Sequence, residues 1–366
     1  MRILCFVIVG LLLSCPVMAQ DTDTTTIDTP KLDFGFDLAS GNDASQAWQA
    51  WQQEDYVQAR SLAAIAGAKG DASAQLLFGI LLDNGFGGTE DPAQAVKWYK
   101  EAAENDEING WLALAGIAFE QRGGLSIADG RGFLKHAAEA RSTEAMLALG
   151  RAYASGHGGE LDEKQAEFWF LQAINNGVNP ARVALADLYL SQDKQDDALA
   201  LYETAVFGGS AEAALKAGLL QADPQSQVYA PQQAGQQLLT AAQAGDAKAM
   251  TNYGLFLATK TPPLPATAAR WFRKAANADE PEGQYLFAVS LAKGEGVLMD
   301  REAAYEWALR ASAQQPEENQ YSHLAEILGQ SLLPSIRDLI HARAQMPLRI
   351  AITEPTASLD PNPSAD

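Results

Sequence analysis

The chain has 366 residues, of which 47% are hydrophobic and 20% are charged, and this apolar fraction is enough for a large folded core. Lysine and arginine total 26 against 46 aspartate and glutamate residues, which gives a formal net charge of -20. So acidic a surface repels nucleic acids and anionic lipids, and it excludes both as expected partners.

The first nineteen residues are typical of a secretory signal peptide. Arg2 is followed by the eleven-residue apolar run ILCFVIVGLLL and then by SCPVMAQD. The run is too short to span a bilayer as an anchor. Val17 and Ala19 place small residues at the two positions that a signal peptidase inspects. We therefore expect cleavage after Ala19, a mature chain that begins at Gln20, and a periplasmic or secreted location.

The same segment has an alternative interpretation as a lipoprotein signal. LLSC, which ends at Cys15, resembles a bacterial lipobox, and Cys15 would then carry a lipid anchor that holds the protein at a membrane. Cys5 and Cys15 are the two cysteines of the chain. Cleavage after Ala19 would leave a mature protein without cysteine, which would exclude disulfides, thiolate catalysis and cysteine-based metal sites.

A flexible acidic leader is predicted for residues 20–44, which are rich in Asp and Thr. Helical patterns follow from residue 45 to residue 319. The first of them, DYVQARSLAAIAGAKG at residues 55–70, is interpreted as the second helix of an incomplete opening unit.

The segment DPAQAVKWYKEAA, residues 91–103, predicts an amphipathic helix whose buried face carries Trp98 with Ala102 and Ala103. This helix recurs along the chain. Strong copies are centred on Trp169, Trp271 and Trp307, and weaker copies contain Phe133, Leu201 and Ala241.

Another predicted helix precedes each copy, and it is marked by two small residues five positions apart. Small residues allow two helix axes to approach to the usual ~8–10 Å. The second members of these pairs step by 36, 35, 36, 32, 36 and 34 residues. They are Gly79, Ala115, Gly150, Ala186, Gly218, Gly254 and Ala288. Such a period predicts an all-α protein, an α-solenoid of about seven to eight helix-turn-helix repeats.

Three of the predicted turns are rich in glycine. They read NGFGG, SGHGG and KGEGV, at residues 84–88, 155–159 and 293–297. Glycine suits a helix end at which the backbone turns through the left-handed conformation.

The second helices carry recognisable start signals. Asp91, Asp162 and Asp300 each stand seven residues before a tryptophan, where a carboxylate is predicted to cap the helix N-terminus. Pro92 and Pro231 are predicted at the first helical position, where a missing N–H costs nothing.

The repeated pattern resembles the SEL-1-like repeat family, a long-loop relative of the tetratricopeptide repeat. Over about 36 residues the pattern contains a small residue, Leu-Gly, a Gly-x-Gly-Val-like loop, Asp, Ala-x-x-Trp and Ala-Ala. The resemblance extends from about residue 47 to residue 312, and it is close in residues 71–106, 143–178 and 281–315. It implies that the repeats form a right-handed superhelix.

The resemblance loosens in three units. The second helix of unit 107–142 carries Gly130 and Gly132. The glycine loop of unit 179–210 is replaced by the shorter SQDKQDD, and Gln237 stands where the tryptophan of the next unit is expected.

Beyond the repeats, residues 320–346 are predicted to form a closing helical pair, interrupted near Pro334, that covers the last repeat. The final residues, 347–366, are polar and punctuated by proline, and they are predicted to be disordered. With a signal peptide at residues 1–19, these segments bracket the solenoid.

The sequence shows no catalytic or metal-binding constellation. The four histidines, His136, His157, His323 and His341, lack metal-ligand spacing and are interpreted as surface residues. SQDK at residues 191–194 matches the Ser-x-x-Lys pattern of penicillin-recognising enzymes, but the companion motifs Ser-Asp-Asn and Lys-Thr-Gly are absent. No catalytic, cofactor-binding or metal residue is therefore assigned, and no cofactor is expected.

The family resemblance implies an exported, non-enzymatic scaffold that binds another protein along the concave face of the solenoid. Periplasmic relatives of this kind imply a role in an envelope signalling or polysaccharide-export system. A hydrolase of the β-lactamase-like branch and a cell-wall glycan binder are the alternatives. In tetratricopeptide relatives the concave face is lined by first-helix positions two, five, nine and twelve. The residues expected there are Asp83, Asn109, Phe119, Arg151, Asp187, Tyr285 and Val289.

Overall fold

The computed structural model describes residues 42–348, and over that range it contains eighteen α-helices and no strand. The signal peptide, both cysteines, most of the leader and the C-terminal residues from 349 onward lie outside the described residues. The helices are α1 (Asn42–Gln52), α2 (Tyr56–Ala68), α3 (Ala72–Asp83), α4 (Pro92–Glu104), α5 (Ile108–Phe119), α6 (Ile127–Glu139), α7 (Thr143–Ser155), α8 (Glu163–Asn175), α9 (Asn179–Ser191), α10 (Gln195–Phe207), α11 (Ala211–Ala222), α12 (Pro231–Gln243), α13 (Ala247–Thr259), α14 (Pro265–Asn277), α15 (Pro281–Lys293), α16 (Arg301–Gln314), α17 (Asn319–Gln330) and α18 (Pro334–Ala344).

The chain divides into two compact units, with the division after Leu188 inside α9. In unit 1 each helix from α1 to α8 packs against the next, and the same holds in unit 2 from α10 to α17. The predicted all-α solenoid of helix pairs is confirmed. We call the odd-numbered helices first helices and the even-numbered ones second helices.

First helices also approach one another directly. In unit 1, α1 contacts α3, and in unit 2, α13 contacts both α11 and α15. Neighbouring first helices therefore contact each other at the start of unit 1 and on both sides of α13 in unit 2.

Glycines on the first helices accept aromatic rings from the second helices. A Cβ atom added at Gly150 would lie 2.5 Å from the ring of Phe170, and one added at Gly254 would lie 2.5 Å from the ring of Phe272. These distances are shorter than van der Waals contact, so a larger residue would push the two helices apart. The predicted role of these small residues in close helix approach is therefore confirmed.

The tryptophans of the second helices are not their most deeply buried residues. Trp98 is half-buried, whereas Tyr99 next to it is only 2% exposed. Trp169 is 8% exposed and Phe170 1%. The prediction that the tryptophan marks the buried face is corrected in this respect. The following aromatic residue fills the space above the glycine, and the tryptophan packs at the edge of the core.

The glycine-rich turns contact the preceding repeat. Gly87 and Gly296 have φ angles of 68° and 76°, in the left-handed region. A Cβ atom at Gly87 would lie 2.2 Å from the carbonyl oxygen of Tyr56, at the start of α2. One at Gly296 would lie 2.2 Å from the carbonyl oxygen of Pro265, at the start of α14. Each turn thus packs on the backbone at the start of the previous second helix.

The predicted helix starts are confirmed. The carboxylates of Asp91, Asp162 and Asp300 each accept a hydrogen bond from the backbone N–H three residues further on, at 2.9–3.0 Å. Pro92 and Pro231 are the first residues of α4 and α12.

Three weaker parts of the pattern are helical as well. The opening unit, expected to be incomplete, has both of its helices, α1 and α2. Helix α6 is continuous through Gly130. A Cβ atom at this position would lie 2.7 Å from the ring of Phe119, so glycine makes room for the ring. The closing pair predicted for residues 320–346 corresponds to α17 and α18, and Pro334, near which the pair was expected to be interrupted, is the first residue of α18.

Candidate partner-binding surface

We define the first-helix surface as the exposed and half-buried side chains of the first helices in each unit. The ninth residue of the first helix is exposed in α7, where it is Arg151, and in α9, where it is Asp187. The fifth residue of the first helix, in contrast, is buried at Leu76, Leu112 and Val183. In unit 1 the position-nine side chains therefore contribute more to this surface than the position-five side chains.

Asp83, at the end of α3, belongs to an ion network. Arg122, in the turn between α5 and α6, lies 2.9 Å from the Asp83 carboxylate, 2.6 Å from Glu90 and 2.9 Å from Glu120. The hydroxyl of Tyr99 donates a hydrogen bond to Asp83 at 3.5 Å. Burial raises the pKa of Asp83, and the nearby guanidinium partly offsets this effect. The Asp83 carboxylate thus joins two neighbouring repeats.

Asn109 lies in the first turn of α5 and binds the residue that caps this helix. Its backbone N–H and its side-chain amide both donate to the carboxylate of Glu107, at 3.2 and 3.0 Å. This carboxylate caps the N-terminus of α5.

Phe119, the last residue of α5, is half-buried and packs against the ring of His157, at a centroid distance of 4.8 Å. The interpretation of His157 as a solvated surface residue is corrected, because the residue is half-buried and its Nε2 atom is shielded from water. Desolvation and the positive charge of Arg131 lower the pKa of His157.

Arg151 and Asp187 are the two expected residues of unit 1 whose side chains are exposed. The guanidinium of Arg151 has no hydrogen bond or ion pair within residues 42–348. Since a guanidinium presents five N–H donors, it offers a strong site for a carboxylate or a carbonyl of a partner.

Tyr285 and Val289 lie one turn apart on α15 in unit 2, and both are half-buried. The ring of Tyr285 lies 4.9 Å from the ring of Tyr321 on α17, at an interplanar angle of 35°. Tyr321 is only 3% exposed. This aromatic pair joins two neighbouring first helices.

Three glutamates accompany this pair. The Glu280 carboxylate accepts hydrogen bonds from the N–H of Gly283 and the hydroxyl of Thr251. Partial desolvation, together with the negative charges of Glu280 and Glu318, raises the pKa of Glu282 to about 7. The outer part of the Glu282 side chain remains exposed, so water screens some of this repulsion.

Sequence reasoning missed Tyr321, Glu282 and Glu318. A signal was available, because Glu-x-Gln-Tyr occurs at residues 282–285 and again at residues 318–321, 36 residues later. A spacing of one repeat places equivalent residues of stacked units near each other. The second copy falls in the segment where the closing helical pair was expected.

The SQDK motif at residues 191–194 spans the end of α9 and the turn that follows it. Ser191 is the last residue of α9, and the Lys194 ammonium lies 4.9 Å from the centre of the Tyr189 ring, in a cation–π contact. Within residues 42–348, no group of three or more His, Cys, Asp or Glu side chains has a geometry that could hold a metal ion. None of the helices in this range is long and apolar enough to cross a membrane.

A family model described as Sel1 repeat matches residues 72–107, 143–178, 247–280 and 281–316. The chain is a Sel1-repeat protein. The resemblance inferred from the sequence is confirmed. Of the residues expected to bind a partner, those inside the matched Sel1 repeats are Asp83, Arg151, Tyr285 and Val289.

The fold of this Sel1-repeat protein is similar to that of two solved structures. A Sel1 repeat protein from Oxalobacter formigenes has a TM-score of 0.64 and 22% identity, and the match covers 79% of this chain and 91% of that chain. A protective antigen present in uropathogenic Escherichia coli strains, which displays an SLR fold, has a TM-score of 0.57 and 20% identity, with coverage of 83% and 76%. At these identities the likeness establishes the fold alone. No curated protein matches the chain.

Proposed function

We propose that this Sel1-repeat protein is an exported, non-enzymatic scaffold that binds another protein on its first-helix surface. The main support is the exposure of Arg151 and Asp187 at the same position of successive first helices in unit 1. Stacked helical repeats present equivalent positions side by side, and this arrangement creates extended binding surfaces.

The chemistry of Arg151 supports a protein partner. Interfaces concentrate their affinity in a few residues, among which arginine is enriched. An exposed arginine with no partner inside the described residues keeps all its donors for an acidic or carbonyl group of a partner. Asp187 adds a negative charge to the same surface, so the two positions suit a partner that presents both signs of charge.

Export is the second part of the proposal. The order of basic, apolar and small residues in 1–19 supports cleavage after Ala19 and a periplasmic or secreted scaffold. Lipidation of Cys15 is the alternative, and it would place the same scaffold at a membrane. An envelope signalling or polysaccharide-export system is the proposed setting.

Site-specific photo-crosslinking tests the partner-binding surface. A crosslinking residue placed at Ser155, which is exposed one turn after Arg151 on α7, leaves the guanidinium in place and should capture a defined protein in the native cell envelope. The matched control is Lys135 on α6, which is also exposed and in unit 1 but belongs to a second helix. We expect capture from position 155 to exceed that from position 135 by at least about tenfold, as for residues at the centre of an interface.

A charge reversal completes the test. Asp187→Lys should abolish capture from position 155 while circular dichroism shows an unchanged helical signal. Equal capture from positions 155 and 135, or full capture in the reversed variant, would show that this surface does not bind the partner.

A further inference from the structure

The two glycine-rich turns of unit 1 make the same backbone contact but carry different side chains between their glycines. The turn after α3 carries Phe86, and the turn after α7, two repeats later, carries His157 at the equivalent position. Gly87 and Gly158, which follow these residues, each pack on a backbone carbonyl at the start of the preceding second helix. His157 therefore puts a titratable ring into a junction that is otherwise built like its uncharged counterpart.

The imidazole of His157 is partly enclosed by the preceding repeat. Its ring lies 4.8 Å from the ring of Phe119, at the end of α5. Its Nε2 atom is buried and has no hydrogen-bond partner within residues 42–348. A neutral imidazole tolerates this position, because one of its ring nitrogens carries no hydrogen. An imidazolium carries N–H groups on both nitrogens, so it would leave a charged donor buried without an acceptor.

The groups around the turn provide no counter-ion for an imidazolium. The guanidinium of Arg131, on α6, donates to the carbonyl oxygen of Glu160 at 2.8 Å and lies 4.8 Å from the centre of the Tyr153 ring on α7. The carboxylate of Glu120, directly after α5, belongs to the ion network of unit 1, and the side chain of Glu160 is exposed. Desolvation and the positive charge of Arg131 lower the pKa of His157, and no carboxylate of the described residues opposes them.

We infer that the junction between the turn at residues 155–159 and the preceding repeat is a pH-sensitive contact, closed while His157 is neutral and opened by its protonation. To bring Nε2–H to water, the ring must leave Phe119. Gly156 and Gly158, on either side, have φ angles of 73° and 77°, and as glycines they give the backbone the freedom to move with the ring. The inference goes beyond the scaffold role and does not depend on a partner.

The pH range follows from the direction of the shift. The pKa of His157 in the folded protein lies below its ordinary value of 6.5, so the neutral ring stabilises the closed turn fully above pH 6.5. This contribution is lost as the pH falls from 6.5 through the folded pKa. Between these two values the ratio of open to closed turn rises by up to about tenfold for each pH unit. The turn with Phe86 has no such dependence.

Hydrogen exchange, measured by mass spectrometry on the full chain, tests the junction. The backbone N–H of Asp162 donates to the carbonyl oxygen of Tyr153 at 3.0 Å and closes the His157 turn. The backbone N–H of Asp91 donates to Leu82 at 2.8 Å and closes the Phe86 turn, which is the matched control in the same molecule. Relative to Asp91, we expect protection at Asp162 to fall by about tenfold between pH 7.5 and pH 5.

Two variants connect this loss of protection to the imidazole. His157→Phe gives the turn the side chain of its counterpart, and His157→Gln keeps a polar side chain that does not titrate. Protection at Asp162, relative to Asp91, should be the same at pH 5 and pH 7.5 in both variants. Nuclear magnetic resonance of the unmodified protein should give a pKa below 6.5 for the imidazole signal that His157→Phe removes.

Three results would each overturn the inference. The first is a pKa of 6.5 or higher for His157, which can be measured even if neither variant folds. The second is an equal loss of protection at Asp162 and Asp91, which would indicate a general effect of acid on the repeats. The third is a pH dependence that persists in His157→Phe or His157→Gln, which would assign it to another group.

Discussion

Unit 1 gathers Asp83, Glu90 and Glu120 around Arg122, whose guanidinium lies within 2.9 Å of all three carboxylates. This arrangement joins the end of α3 and the turn after it to the turn between α5 and α6. The acidic side chains are used inside the protein, where they connect one repeat to the next.

Unit 2 gathers Glu280, Glu282 and Glu318, but none of them makes an ion pair within the described residues. Glu280 is used by the fold, as the cap of α15, and the other two are not. The comparison shows that the acidic residues of the two units have different surroundings. Carboxylates in unit 1 meet an arginine that connects neighbouring repeats, whereas Glu282 and Glu318 in unit 2 meet no cation within the described residues.

The largest expected effect concerns the core, which the two units build in the same way. Gly150→Leu and Gly254→Leu should each destabilise the protein by about 3 kcal/mol or more, because the added side chain overlaps the ring of Phe170 or Phe272. Denaturant unfolding measures both losses. Similar losses of stability in the two variants would indicate that the units differ in their polar groups and not in their core packing.

Gly132→Leu is the control for these variants. No atom lies within 4 Å of a Cβ atom at this exposed position of α6, so the variant should lose no stability and should gain up to about 1 kcal/mol, because leucine favours a helix over glycine. An unchanged midpoint for Gly150→Leu would show that Gly150 is not at the contact between α7 and α8.

Arg122→Ala should have the next largest effect. It leaves the half-buried Asp83 without its counter-charge, and we expect a loss of about 2 kcal/mol at neutral pH. The pKa of Asp83 is already raised in the folded protein, and without Arg122 it would rise further. Since protonation removes the unpaired charge, the loss should shrink as the pH falls through this pKa.

Arg273→Ala, at an exposed site on α14, is the matched control and should change stability by less than about 0.5 kcal/mol. Denaturant unfolding at several pH values compares the two variants. A loss for Arg122→Ala that is the same at acidic and neutral pH would contradict the role of Asp83.

The smallest expected effect concerns Glu282→Gln. The folded pKa of Glu282, about 7, lies above its ordinary value of 4.5, so its contribution to stability is present below pH 4.5 and is lost as the pH rises through 7. Glutamine removes this dependence. The melting temperature of the variant should therefore change less with pH between pH 4.5 and 7 than that of the unmodified protein. Above pH 7 the variant should be more stable than the unmodified protein by at most about 0.5 kcal/mol, because water screens the exposed group.

Glu302→Gln provides the reference for this measurement, since this residue is exposed on the first turn of α16. It should leave the slope of melting temperature against pH unchanged. If Glu282→Gln has the same slope as the unmodified protein, the like charges in unit 2 are already compensated. Unit 2 would then not differ from unit 1, where Arg122 compensates Asp83.

Much of the fold could be predicted because it is encoded locally and then repeated. The position of Gly150 relative to Phe170, and of Asp162 relative to Trp169, is set by helical spacing within one unit. Every repeat supplies another copy of the same information, so the period identifies the helices even where one copy is weak.

The polar surface could not be predicted in the same way. Arg122 meets Asp83 across 39 residues and two turns, and neither turn has a helical pattern that fixes its path. Position five was expected to face a partner, yet Leu76 and Leu112 are buried in core clusters that also contain second-helix residues. These contacts between repeats determine which carboxylates form an ion pair with an arginine.

The contact between a glycine turn and the preceding repeat has a consequence for how such a chain changes in evolution. Gly158 packs on the backbone carbonyl of Ile127, and Arg131 donates to the carbonyl of Glu160 at 2.8 Å. Because the turn presents backbone atoms, this contact is made by the glycines of the turn and by Arg131, and not by the other side chains of the turn. A duplicated repeat that keeps these few residues can then be inserted after another without further change at the seam, whereas the junction at Arg122 also needs acids on the adjoining repeat and must be inherited together with its neighbour.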